Sequence, residues 1–259
     1  MRVMMIGDVV SRVGRDMLFK YVEDLRYSKG IDLIIANGEN ANHGRGMTRS
    51  VYDEMQRAGV DGFTMGNHTW GSKEIIPILK NEENVIRPLN YSGNAAGSGS
   101  MLLTAKNGER AAVINIIGRT YMDAAESPFE AVRREIDRLK KKTKIIIVDF
   151  HAEATSEKEA MGYYLDGLAS VVAGTHTHVQ TADEQILPKG TGYITDLGMT
   201  GAVESVLGMD KNIIIERFTS PMPAKFELAG GKGQLCGCIF DINAEGRCTA
   251  VERVYIREK

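Results

Sequence analysis

Short apolar runs that stop abruptly at polar residues, each followed by a helical stretch, recur through the N-terminal part of the chain and constrain its fold more than any other feature. Residues 3 to 6 form a run ending at Gly7-Asp8. Leu33-Ile34-Ile35-Ala36 ends at Asn37-Gly38-Glu39-Asn40, and the run from Val60 to Met65 ends at Gly66-Asn67-His68. Between them, residues 12 to 28 space Met17, Leu18, Tyr21, Val22 and Leu25 at helical intervals, and residues 48 to 58 read as a helix capped by Thr48 or Ser50. Strands alternating with helices predict a largely parallel sheet whose strand ends share one side. Open α/β sheets bind ligands outside the carboxyl ends of their strands, so the polar residues there are site candidates.

Further along, Met101-Leu102-Leu103 and Ala111 to Ile117 flank the turn Asn107-Gly108 and predict a hairpin. The glycine- and serine-rich stretch 93–100 lacks the Gly-Lys-Ser/Thr ending of a phosphate-cradling loop and reads as a plain connection. Residues 127 to 142 read as a helix, and the basic run Arg138 to Lys144 reads as its solvated C-terminal end, where cations suit the helix dipole. Another strand, Lys144 to Phe150, stops at His151. A helix over 156 to 165 follows, then a strand from Leu168 to Ala173 and the segment Gly174-Thr175-His176-Thr177-His178. In extended backbone the two-residue spacing would put His176 and His178 on one face, about 7 Å apart, which suits ligation of adjacent metals. After the loop Tyr193 to Gly201, the segments Ile213 to Phe218, Leu235 to Ile242 and Cys248 to Ile256 read as antiparallel strands of a second sheet. No linker or composition shift divides the chain, so one domain over 1–259 is expected.

A formal charge of -2 offers no global attraction to nucleic acid or acidic membranes, and the basic run has no aromatic interleaving. A small ligand drawn by a local site is expected rather than stable nucleic-acid binding. No apolar run reaches the roughly 18 residues that a membrane span needs. With 3 cysteines and no signal-peptide pattern, reduced thiols in the cytoplasm are expected, and Cys236-Gly-Cys238 reads as packing rather than a metal site.

The chain holds 5 histidines, and His68, His151, His176 and His178 all follow runs that read as buried strands. Together with Asp8, Glu39, Asn40 and Asn67 they make a set of oxygen and imidazole donors without thiolate. That chemistry suits iron, manganese or zinc in a two-metal site rather than a closed structural zinc site. Singly, each has a plain reading: Asp8 and Glu39 as helix caps, Asn40 and Asn67 as turn residues, a lone histidine as no ligand.

Asp8 in Gly-Asp, the Gly66-Asn67-His68 triplet, the isolated His151 and Gly174-Thr175-His176-Thr177-His178 resemble, in order, the motifs of the calcineurin-like metallophosphoesterases. Gly38-Glu39-Asn40-Ala41 and Asp196-Leu197-Gly198-Met199-Thr200-Gly201 make the chain more similar still to the YmdB-like bacterial subfamily. The resemblance implies an α/β fold, a four-layer αββα sandwich, and hydrolysis of phosphodiesters including 2′,3′-cyclic nucleotides. It implies one metal held by Asp8, Glu39, Asn40 and His178, and a second held by Glu39, Asn67, His151 and His176, with Glu39 bridging. A metal-bridging hydroxide would attack phosphorus while His68, as general acid, protonates the leaving ribose oxygen. The usual Asp-x-His motif is here Asp8-Val9-Val10, and Asn40 takes the place of the missing histidine. His43 stands where a small residue is expected, and Arg45 and the loop Thr195 to Gly201 are expected near the substrate. The resemblance also implies a homo-oligomer. A phosphomonoesterase or protein phosphatase on the same core, and a regulatory protein with a vestigial metal site, remain open alternatives.

Overall fold

The computed structural model describes residues 1–122 and 125–259. Strand β1 (Arg2–Ile6) and the two-residue β2 (Asp8–Val9) lead into α1 (Ser11–Lys29), which buries Met17, Leu18 and Val22. The helix ends at Gly30, whose φ of 64° is the left-handed closure that glycine adopts without a Cβ clash. Strand β3 (Leu33–Asn37) follows, then α2 (Arg49–Arg57), where Thr48 Oγ1 accepts from the Val51 amide at 3.4 Å and so is the cap. Next come β4 (Gly62–Thr64), a 3-10 turn at Thr69–Gly71, α3 (Ile75–Asn81) and β5 (Val85–Ile86). Sequence periodicity does not reveal α3, a short helix with Pro77 in its first turn, where its missing N–H costs no helical hydrogen bond. It forms because Ile75, Ile78 and Leu79 find a core to bury into. Strands β1, β3, β4 and β5 pair in parallel, as the alternation predicts.

The hairpin of β6 (Ser100–Thr104) and β7 (Arg110–Ile117) forms as expected and opens the second sheet. Helix α4 (Pro128–Leu139), β8 (Ile145–His151), α5 (Thr155–Tyr164), β9 (Val171–Thr175), β10 (Gln185–Ile186) and β11 (Gly192–Ile194) continue it. Here β7, β8, β9 and β11 are parallel, with β6 and β10 as antiparallel edges. The chain then crosses back through β12 (Met199–Ala202), β13 (Ser205–Val206), β14 (Met209–Asp210), α6 (Lys211–Thr219), β15 (Gly233–Ile242) and β16 (Cys248–Arg257).

Two sequence expectations are corrected here. The C-terminal strands do not build the second sheet. Strand β15 lies antiparallel to β1, with Met5 opposite Cys238, and β16 pairs with β15, so they complete the first sheet. Leu235 and Ile239 of β15 join the core under α1 while Cys238, Phe240 and Ile242 join the core between the sheets. A strand apolar on both faces belongs inside a sheet with both sides covered, but nothing local says which sheet. The segment Ile213 to Phe218, expected as a strand, is helical, because Asp210 Oδ1 accepts from the amides of Asn212 and Ile213 at 2.8 and 3.2 Å and starts a helix.

Side-chain alternation explains the layering. Met4 and Ile6 pack with Met17, Leu18 and Val22 of α1, whereas Val3 and Met5 face Ala111, Val113 and Ile147 of the other sheet. On that sheet, Ala112, Ile114 and Ile116 turn outward against Val132 and Ile136 of α4. Period-two strands with both faces apolar thus give three cores and a four-layer αββα sandwich. Cys236, Cys238 and Cys248 are free and buried, and burial raises their thiol pKa values, which is the packing role expected of them. Among the described residues, no helix is long and apolar enough to cross a membrane.

Candidate metal centre

Strand ends of both sheets meet at one rim. From the first sheet, Asp8 opens β2 one residue beyond β1, Glu39 and Asn40 follow β3, and Asn67 and His68 follow β4. From the second, His151 closes β8 and His176 and His178 follow β9. All the predicted site residues therefore come together, and Glu39 stands at their middle.

One group gathers around His151 Nε2, which lies 3.2 Å from Glu39 Oε1, 2.9 Å from Asn67 Oδ1 and 3.1 Å from His176 Nδ1. Glu39, His151 and His176 offer ligand atoms within 4.8 Å of one another, close enough to hold one ion together. The other group holds Asp8 Oδ1, 3.7 Å from His178 Nε2, and Asn40 Nδ2, 3.2 Å from the same nitrogen. Glu39 Oε1 reaches this group too, accepting from Asn40 Nδ2 at 3.3 Å, so one carboxylate touches both.

Partners on the far side of each ring set which nitrogen faces the centre. His151 Nδ1 meets Thr175 Oγ1 at 2.9 Å, and that hydroxyl donates to Asp149 Oδ1 at 2.7 Å, so His151 Nδ1 must be the donor and Nε2 points into the cluster. His178 Nδ1 donates to the Leu207 carbonyl at 3.2 Å, again leaving Nε2 for the cluster. His176 is reversed: its Nε2 meets Glu153 Oε2 at 3.0 Å and Nδ1 faces inward. Such outer partners orient the imidazoles of metal sites and raise their basicity.

Burial and mutual charge perturb these groups strongly. Burial raises Asp8 to about 6 despite the opposing His178 and His151. Burial would also raise Glu39, but His151 and His68 outweigh it and hold the carboxyl at about 2. For His151, burial opposes the charge, yet Glu39, Asp8 and Asp149 bring its pKa to about 9. Burial and the neighbouring His151 push His176 down to about 3. Burial also lowers His68, with Arg45 adding to the effect and Glu39 opposing it.

The donor set fits a pair of cations. Asp8 Oδ1 is buried without a hydrogen-bond partner, a costly state for a carboxylate that a cation would relieve. A Cβ built on Gly66 would overlap Glu39 Oε2 and His151 Nε2, so glycine keeps the space among the donors open. Asn40 is the one imperfect member. Its Oδ1 faces His68 Nδ1 at 2.8 Å and its nitrogen faces His178, so ligation through oxygen requires the near-isosteric amide to turn over.

The extended-backbone reading of His176 and His178 is corrected. Their φ angles are 100° and 65°, both left-handed, and they enter different groups rather than sharing one strand face. His43, with φ of 48°, is exposed on the turn after Asn40. The segment Thr195 to Gly201, whose last three residues belong to β12, is buried throughout, and Asp196 Oδ2 accepts from the Thr177 amide at 3.1 Å, so it braces the histidine turn and does not border an open face. Several supporting residues had no recognisable sequence signal: Glu153, Asp149 and the Leu207 carbonyl are polar groups like any others until folding sets them behind a histidine or its hydroxyl partner. Gly66 and Thr175 were visible as parts of their motifs.

A family model described as YmdB-like protein matches residues 4–254. The chain belongs to this YmdB-like family. It is 47% identical over 259 residues, covering 100% of this chain and 98% of the other, to the 2′,3′-cyclic-nucleotide 2′-phosphodiesterase of Bacillus subtilis (strain 168). A crystal structure of a hypothetical protein from Thermus thermophilus superposes with a TM-score of 0.93 at 40% identity, covering 100% of both chains. A structure described as a novel phosphatase from Mycoplasma pneumoniae superposes at 0.92 with 34% identity, covering 99% of this chain and 93% of that one.

Proposed function

We propose that this YmdB-like protein is a cytoplasmic, single-domain phosphodiesterase that hydrolyses 2′,3′-cyclic nucleotides with two bound ions, iron or manganese in preference to zinc. The observation that carries this reading is the convergence of two donor groups on Glu39 with His68 beside them. The 47% identity to a Bacillus subtilis enzyme named for that substrate supports it.

Asp8, Glu39, Asn40 and His178 would hold one ion, and Glu39, Asn67, His151 and His176 the other. When bound, the ions supply Lewis acidity and positive charge for a phosphoryl group. With a divalent pair bound, the two carboxylates Asp8 and Glu39 would leave the site a net positive charge, which would favour an anionic diester on a chain of formal charge -2.

His68 acts on the leaving group. Its backbone amide donates to Glu39 Oε2 at 2.7 Å, and Nδ1 lies 2.8 Å from the Asn40 amide, which, turned over for ligation, donates an N–H to Nδ1; the ring is held from two sides with its proton on Nε2, the position left for substrate. A half-exposed imidazole there can protonate a departing ribose oxygen. Arg45 extends positive charge beside the ring.

Parallel assays of 2′,3′-cyclic AMP, bis-p-nitrophenyl phosphate and p-nitrophenyl phosphate, with and without chelator, test the reading. Diester turnover that chelation abolishes and Mn²⁺ restores is expected. A preference for the monoester would make the protein a phosphatase, and full activity in metal-free protein would overturn the mechanism.

A further inference from the structure

The turn that carries two candidate ligands is held from below by a buried ion pair. Lys158, in the first half of α5, and Asp196, in the loop after β11, are both about 1% exposed, and Lys158 Nζ donates to Asp196 Oδ2 at 2.6 Å. The same carboxylate oxygen accepts from the Thr177 amide at 3.1 Å and from Thr177 Oγ1 at 2.7 Å. Its other oxygen accepts from the Gly198 amide at 2.8 Å, so both oxygens of Asp196 are used to fix this loop. Thr177 lies between His176 and His178, both in the left-handed region that side-chain-bearing residues avoid. Such a turn persists only where its surroundings hold it.

The packing leaves no slack. A Cβ on Gly174 would overlap the Thr195 carbonyl and press on Lys158 Cδ, so the lysine stem and the Thr195 backbone both lie against the end of β9. The Leu197 amide donates to the Gly174 carbonyl at 2.8 Å, and the Asp196 amide donates to Thr181 Oγ1 at 2.9 Å, so the Asp196 loop is anchored on both sides of the histidine turn.

We infer that the Lys158–Asp196 pair is a positioning element that, through Thr177, aims His176 into the Glu39–His151–Asn67 group and His178 into the Asp8–Asn40 group. The inference rests on the two-ion reading above. Lys158 is buried and donates to Asp196 rather than to a candidate ligand, its charge reaching His176 only through space. Its ammonium orients the Asp196 carboxylate, which lets one oxygen serve both donors of Thr177 as well as the lysine. A neutral residue at 196 would leave these donors competing for weaker acceptors, and the turn would be free to relax from its left-handed conformation.

Three variants test it by Mn²⁺ titration calorimetry of metal-stripped protein and by hydrogen exchange of the 176–178 amides, alongside thermal unfolding and steady-state kinetics. Thr177→Val keeps the ion pair and removes one donor. It should weaken Mn²⁺ affinity in both sites by about 10–100-fold and lower kcat more than KM, with Thr177→Ser restoring both, the size expected when an outer partner of a metal site is lost. Lys158→Met with Asp196→Asn replaces the pair by neutral residues of similar size, a change that often preserves folding. It should unfold cooperatively while the Thr177 amide exchanges at least tenfold faster and Mn²⁺ affinity falls. Wild-type affinity and unchanged amide exchange in the folded Thr177→Val protein, with only the unfolding temperature altered, would overturn the inference. If the double variant does not fold, Thr177→Val decides alone. Wild-type protein that takes up no Mn²⁺ would instead remove the two-ion reading, and the exchange measurement would still decide whether the pair holds the turn.

Discussion

Asn67 Oδ1 lies 2.9 Å from His151 Nε2, although the two residues are 84 positions apart and follow strands of different sheets. Neither sheet alone builds the donor group around Glu39. It exists only where the rims of β3 and β4 meet those of β8 and β9, so the packing of the two sheets through their shared core sets the site's dimensions.

Glu39→Gln should weaken both ions, because Glu39 Oε1 contacts Asn40 of one group and His151 of the other. Asn67→Ala should empty mainly the site around His151. Metal content per chain after desalting separates them, and an unchanged two-ion content in the Glu39 variant would sink the bridging role.

His68→Ala should keep both ions, since the backbone amide that donates to Glu39 Oε2 remains. Turnover of a cyclic nucleotide should fall by roughly 10²–10⁴, the usual contribution of a general acid, while a nitrophenyl ester with a good leaving group should lose much less. Equal losses on both substrates would leave His68 as a phosphate-binding residue.

Gly66→Ala tests the space among the donors. Gly66 does not have a left-handed φ, so alanine brings no backbone strain, and its methyl group would fall on Glu39 Oε2 and His151 Nε2. The variant should fold and lose most of its metal and diester turnover. A fully loaded, active Gly66→Ala protein would show that the donors leave room for a methyl group and that glycine is not needed there.

Metal uptake should release protons and tighten with pH. In the metal-free protein, burial is outweighed by Glu39 and its acidic neighbours to hold His151 at about 9, and burial raises Asp8 to about 6. Both shifts favour the protonated form, so protons compete with the ion below those values and leave as pH rises. Apparent Mn²⁺ affinity should rise about tenfold per pH unit from 6 to 8, and more steeply below 6. Titration calorimetry in buffers of different ionisation heat measures the released protons. An affinity that stays flat from pH 6 to 8 would contradict a protonated His151 in the metal-free site.

The alternation of apolar runs and helices, the polar residues at each strand end and the absence of thiols from that set were local patterns, and period two or 3.6 in the sequence was enough to read them. They carried the parallel strands β1, β3, β4, β8 and β9 and every proposed ligand from Asp8 to His178. What the sequence could not determine by itself was partnership. Whether β15 pairs with β1 or with a strand of the other sheet depends on which face of each strand is already covered, and Leu235 and Phe240 look equally apolar in either place. For the same reason Lys158 read as an ordinary helix base, and Asp196, visible in its motif, gave no sign of its partner. Only folding removes both from water, about 1% exposed, and there each charge requires the other, because an uncompensated buried charge is strongly destabilising. The left-handed turns at His176 and His178 likewise follow from tertiary tethers to Asp8, Asp196 and Leu207, against the local preference for extended backbone.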